Sequence, residues 1–226
     1  MFPISDSAKT SRFPILTILI IVLNVYVFFQ LLSAPSTNFF ISQYALIPSQ
    51  VNFSNPLTLI PFITAMFLHG GFIHIISNMW FLWIFGDNVE GYLGYLIYPL
   101  FYLATGIIGN TLQYFLDPSS NIPMIGASGA ISGILGAYYV FFPRTKVKTI
   151  IFIFIFFTVA EIPAVIYLFY WFFLQLISGV GTLSSLYQGV GGVAFWAHIG
   201  GFVSGVFIAR AIKNEWEKGY IEGEIV

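Results

Sequence analysis

The chain has 226 residues, of which 58% are hydrophobic, 19% aromatic and only 8% charged, with a formal net charge of -1. Soluble globular domains carry about 25% charged residues, so this chain has too little charge to cover a water-facing surface. A cytosolic enzyme, a nucleic-acid binder with a basic face and a disordered regulator are excluded, and an all-α polytopic membrane protein remains.

The first apolar stretch, Phe13 to Leu32, is too long for a signal-peptide core and is read as a retained first span. Residues 33–57 carry Pro35, Pro48 and Pro56 among Ser, Asn and Gln, and are read as loop. Leu57 to Leu68 is apolar but short and holds Pro61, which fits an interfacial or re-entrant piece. After Gly70-Gly71 a second span is expected from about Gly71 to Phe85, closed by Gly86-Asp87-Asn88. A third follows from Tyr92 to Leu116 and a fourth from Ile122 to Phe142. The apolar run Thr149 to Ser178 is too long for one span and is split by Glu161-Ile162-Pro163. It is read as an interfacial helix to about Ala160 and a short fifth span from Ala164 to Ser178. The sixth span runs from about Gly191 to Lys213.

The basic residues test this count. Lys9 and Arg12 precede the first span, Arg144, Lys146 and Lys148 lie between the fourth and fifth, and Arg210, Lys213 and Lys218 end the chain. The positive-inside rule puts both termini and the 143–148 loop in the cytoplasm, which six spans allow and five or seven do not. The expected organisation is a cytoplasmic N-terminus at 1–12, a six-helix membrane domain at 13–213 and a cytoplasmic tail at 214–226, in the cell membrane.

Polar side chains inside a bilayer are costly and mark function by default. Four stand out: His74, Asn78, Ser128 and His198. On the inside-out order above, spans two, four and six all start at the external face, and the four residues fall in one layer just beneath it. Gly129, Gly133 and Ala137 form one small-residue ridge, and Ala197, Gly201, Gly205 and Ala209 another. Such ridges let two backbones approach closely. Ser128 adjoins the first ridge and His198 the second, so their packing would bring hydroxyl and imidazole together. A Ser–His pair is an activated nucleophile, and its tetrahedral intermediate needs N–H donors. His74, Asn78 and the Ser128 amide are candidates for that oxyanion hole. No carboxylate lies at this depth, so a dyad is expected rather than a triad.

Metal chemistry is the competing reading. The chain has no cysteine and three histidines, His69, His74 and His198, which three-His zinc would need. There is no His-Glu-x-x-His helix and no carboxylate among them, and His69 is placed above the layer. No metal and no cofactor is expected.

At this point the residues resemble the rhomboid intramembrane serine proteases, over about residues 13–212. His69-Gly-Gly-Phe-Ile-His74-Ile-Ile-Ser-Asn78 resembles the family's second-helix His and Asn motif. Gly126-Ala127-Ser128-Gly129 resembles its Gly-x-Ser-Gly motif, and Ala197-His198 with Gly201 and Gly205 resembles its last-helix His followed by spaced glycines. The resemblance implies a six-helix rhomboid-like bundle with Ser128 as nucleophile, His198 as base, and His74, Asn78 and the Ser128 amide as the oxyanion hole. It implies substrates that are single-span membrane proteins, cut near the external end of their helix, with the bilayer as surroundings and no nucleic-acid partner. Residues 33–70 would be the family's partly embedded first loop and the fifth span its lateral gate, with bulky Phe169, Trp171, Phe172 and Phe173. The chain departs from some members at two points. It lacks a Trp-Arg pair in the first loop, and it carries Ser132 where an aromatic stacks on the catalytic histidine one turn after the nucleophile.

Two other classes stay open. A catalytically inactive rhomboid-like protein would bind membrane helices without cutting them, although both Ser128 and His198 are present. A small transporter or channel is poorly served by a lone membrane-adjacent carboxylate, Glu161, and by the lack of inverted halves.

Overall fold

The computed structural model describes residues 1–10, 12–153, 156–182 and 193–221. The elements run in the order β1 (Phe2–Asp6), α1 (Ile15–Ser33), α2 (Thr37–Tyr44), α3 (Pro61–Thr64), α4 (Phe72–Leu116), α5 (Ser128–Phe141), β2 (Lys146–Ile153), β3 (Phe156–Pro163), α6 (Ala164–Thr182) and α7 (Phe195–Ile221). Four of these, α1, α4, α6 and α7, contain stretches long and apolar enough to cross a membrane, and α5 is apolar but only 14 residues long.

The expected break at Gly86-Asp87-Asn88 is not there. Helix α4 runs unbroken through those residues and turns instead at Gly94, where φ is 76°. That left-handed backbone suits glycine because it has no Cβ, and the Arg12 guanidinium sits where a side chain at 94 would project. Gly86 serves packing: a Cβ there would lie 2.9 Å from the Tyr98 hydroxyl and 3.1 Å from the Thr17 methyl. The break makes two helical pieces, 72–93 and 95–116, each near the ~20 residues of one span.

Glu90 sits between these glycines and is fully buried. Its carboxylate accepts the backbone N–H groups of Leu16 (2.9 Å) and Thr17 (2.7 Å), capping α1, whose own N-cap Pro14 offers no side-chain acceptor. A carboxylate at a helix N-terminus satisfies orphan donors and meets the positive end of the dipole.

An all-α fold is corrected by a three-stranded antiparallel sheet in the order β1-β2-β3. The interfacial helix expected over 149–160 is the β2–β3 hairpin, with Thr149 opposite Ala160 and Lys148 opposite Glu161. The run from Val147 to Ile162 is dominated by Ile, Val, Thr and Phe, side chains that lose rotamers in a helix and pack well on a pleat. Residues 2–6 supply the third strand, pairing Phe2 with Ile150. Glu161 is solvent-exposed and ion-paired to Lys146 at 3.3 Å.

The sheet lies at one end of the bundle. Asp6 of β1 accepts hydrogen bonds from Tyr138 near the end of α5 and from Asn88 of α4. At that same end Tyr92 stacks on Phe141 and on Trp216 of α7. The opposite end holds the starts of α4, α5 and α7. Helices α5 and α7 meet through glycine: a Cβ at Gly201 would collide with the Gly129 carbonyl, and one at Gly205 with the Gly133 carbonyl. The α5 ridge is broader than its four-residue spacing suggests, because Gly133 also abuts Thr105 of α4 and Gly136 abuts the α7 backbone at Phe202.

The first loop is held without a Trp-Arg pair. Asn110 donates to the Phe62 carbonyl at 2.9 Å, the Gly126 amide to the Ala65 carbonyl at 2.9 Å, and Leu46 forms a bridge with Met124.

Candidate active site

Helix α5 begins at Ser128, later than the expected Ile122, and α7 begins at Phe195. Ser128 is therefore the first residue of its helix rather than a residue well inside a span. Its N–H has no partner within its own helix. His74 lies in the first turn of α4, His198 in the first turn of α7, and Asn78 one turn beyond His74. The shared layer is formed by helix starts.

There the structure brings the Ser128 Oγ within 2.7 Å of His198 Nε2. The other ring nitrogen, Nδ1, lies 2.8 Å from the Gln175 amide oxygen, which comes from α6. The ring is flanked by Trp171 in a near-parallel stack, with centroids 6.1 Å apart, and edge-on by Phe195. An aromatic ring thus stacks on His198 from α6 rather than from position 132. Ser132 instead donates its hydroxyl back to the Ser128 carbonyl at 2.6 Å. The residues grouped as gate bulk divide in two: Phe169 and Phe173 are exposed, whereas Trp171 and Phe172 pack on Phe202 of α7.

His74 accepts the Gly70 N–H at Nδ1, 3.4 Å, which leaves Nε2 to carry the ring proton as a donor. Gly126 has φ 128°, and the place its Cβ would take is 2.8 Å from His74 Nε2 and 3.5 Å from Ser128 Oγ. The glycine therefore keeps open a space that both a donor and the serine oxygen border, where an oxyanion would fit. Asn78 is buried, and its amide nitrogen has no hydrogen-bond partner among the described residues. A small recess runs beside Ser128, lined by Ala65, Asn110, Met124, Gly126 and Ala194.

His69 is not above this layer. It is fully buried, with its ring edge-on to His74 at 5.0 Å. Burial, helped by the neighbouring His74, pushes it down to about 3, so it is neutral at ordinary pH. Among the described residues no group of three His, Cys, Asp or Glu side chains is arranged to hold a metal.

Gln175 is the site residue that sequence reasoning missed. The signal was available: an amide side chain midway along the otherwise apolar stretch Phe172–Ile177 is costly in a bilayer and asks for a partner. Residues 183–192, which join α6 to α7, lie outside the described residues.

Comparison with known proteins follows this geometry. RHOMBOID-like protein 6, mitochondrial, of Arabidopsis thaliana is 43% identical over 76 residues, 33% of this chain and 24% of that protein. The Bacillus subtilis protein named "Putative rhomboid protease YdcA" is 40% identical over 76 residues, 34% of this chain and 38% of that protein. The mouse Presenilin-associated rhomboid-like protein, mitochondrial, is 32% identical over 102 residues, 43% of this chain and 27% of that protein. The chain thus spans about a quarter to two-fifths of the length of these relatives. A family model described as a Rhomboid domain matches residues 56–215, well over half of the chain, and the chain belongs to the rhomboid family of membrane proteins.

Proposed function

We propose that this chain is an intramembrane serine endopeptidase that cleaves single-span membrane proteins near the external end of their helix. The observation that carries this is the 2.7 Å approach of Ser128 Oγ to His198 Nε2. In this reading His198 takes the hydroxyl proton as Oγ attacks the scissile carbonyl, and then gives it to the leaving amine. His74 Nε2, the Asn78 amide and the Ser128 N–H stabilise the oxyanion. A water from the recess beside Ser128 then hydrolyses the acyl-enzyme. No cofactor enters the scheme. A helical substrate hides its carbonyls, so glycine and other weak helix formers near its external end lower the cost of unwinding.

The deciding experiment is cleavage of a single-span protein by the purified chain, together with labelling by a fluorophosphonate, which needs an activated serine. Binding without either reaction would favour an inactive helix-binding protein. Asn78→Ala should cost about 10²–10³ in rate without abolishing it, because two other donors remain. Rates within 2-fold of wild type would remove Asn78 from the oxyanion hole.

The proposed topology has six spans: α1, the two pieces of α4, α5, α6 and α7. Both termini face the cytoplasm of the cell membrane, with the membrane domain at 13–213 between the N-terminal segment 1–12 and the tail 214–226. The sheet end supports this, since it gathers β1, the Arg12 side chain and the Lys146–Lys148 segment. Single cysteines at Lys146 and Ser119 should label from opposite sides of the membrane. Labelling of both from one side would refute six spans.

A further inference from the structure

We propose that Gln175 is a positioning residue that fixes the tautomer and orientation of His198. The inference rests on the dyad reading above and adds a contribution from α6, a helix that supplies none of the residues named in that reading. The amide is oriented from both ends. Its nitrogen faces the Trp171 carbonyl at 3.5 Å, a group that can only accept, so its oxygen faces His198 Nδ1 at 2.8 Å. An amide oxygen only accepts, so Nδ1 must carry the ring proton. In the neutral ring that leaves Nε2 bare, and Nε2 is the atom 2.7 Å from Ser128 Oγ. Without the acceptor, the tautomer with hydrogen on Nε2 becomes competitive, and that form cannot take the serine proton. Trp171, one turn earlier on α6, stacks on the ring and sets its plane. Gln175 thus does with a neutral acceptor what a carboxylate does in a triad, and it adds no charge inside the membrane.

The chain in lipid vesicles tests this, with cleavage of a single-span substrate and fluorophosphonate labelling measured across pH. Gln175→Leu should lower kcat and the labelling rate together by about 10-fold, the scale of one lost hydrogen bond, with KM unchanged. Gln175→Glu restores an acceptor and should recover the rate at high pH. Its carboxylate favours a charged imidazole, so the acid limb of its profile should move up by about one pH unit. Among the described residues, the titratable group facing His198 from another helix is His74 of α4, which is common to every variant. A residue that merely supported α6 packing would not move the acid limb. Wild-type kcat and labelling in Gln175→Leu would overturn the proposal. If that variant fails to fold, an unmoved acid limb in Gln175→Glu overturns it instead. Cleavage that survives Ser128→Ala would show that the dyad reading itself is wrong, and the assignment of Gln175 would fall with it.

Discussion

Replacing Ser128 by Ala should abolish cleavage and fluorophosphonate labelling together, with a loss on the order of 10⁴-fold or more. Among the described residues, the hydroxyl that lies 2.7 Å from His198 Nε2 and also borders the space beside His74 is that of Ser128. His198→Ala should be nearly as severe, because an unassisted serine hydroxyl is almost never ionised near neutral pH. The double variant should be no worse than the worse single, since the two residues act as one unit. The base must be neutral to accept a proton, so activity should fall toward acid pH. Residual labelling in Ser128→Ala, or full activity in His198→Ala, would refute the dyad.

The second large effect is expected far from any polar group. A Cβ at Gly201 would collide with the Gly129 carbonyl, and backbone cannot give way as a flexible side chain does. Gly201→Ala should push α7 away from α5 at the residue directly after Ser128. Overpacking of this kind costs about 1–3 kcal/mol. The catalytic loss should be larger in proportion, because a ~1 Å displacement of reacting groups costs about 10²-fold. Gly201→Leu should fail to assemble. Thermal unfolding in detergent and the labelling rate give the two readouts. Gly181→Ala is the control: among the described residues nothing lies within 4 Å of its Cβ position, so stability and labelling should stay at wild-type level. Equal behaviour of Gly201→Ala and Gly181→Ala would show that the helices do not depend on that contact.

The α6 helix needs a different view from the one its composition invites. Its aromatic run reads as a single bulky gate. In the fold, Phe169 and Phe173 are exposed on its outer face while Trp171 stacks on His198. Shortening Trp171 would therefore remove support from the His198 ring at the same time as it loosened the helix. Any gain in access from such a variant would be offset by the misplaced imidazole.

Several properties of this protein were legible in the sequence by itself. Low charge and long apolar runs determine a membrane protein, because both follow from the cost of burying charge and backbone in hydrocarbon. Ser128, His198, His74 and Asn78 stood out for the same reason, as polar groups at one depth, and the glycine spacing showed which helices could approach closely. What depends on contacts between distant segments was not legible. Gly86 and Gly94 look alike in sequence, and only the neighbours distinguish them: Tyr98 and Thr17 crowd the first, and the backbone turns at the second. The run at 149–160 is apolar enough for an interfacial helix, and strand β1, more than a hundred residues earlier, pairs with its first strand to complete a sheet. Gln175 reaches His198 only because α6 packs against α7, a juxtaposition that no local pattern encodes. Periodicity and polarity act within a helix, whereas the turn, the sheet and the orientation of His198 are set by which surfaces finally meet.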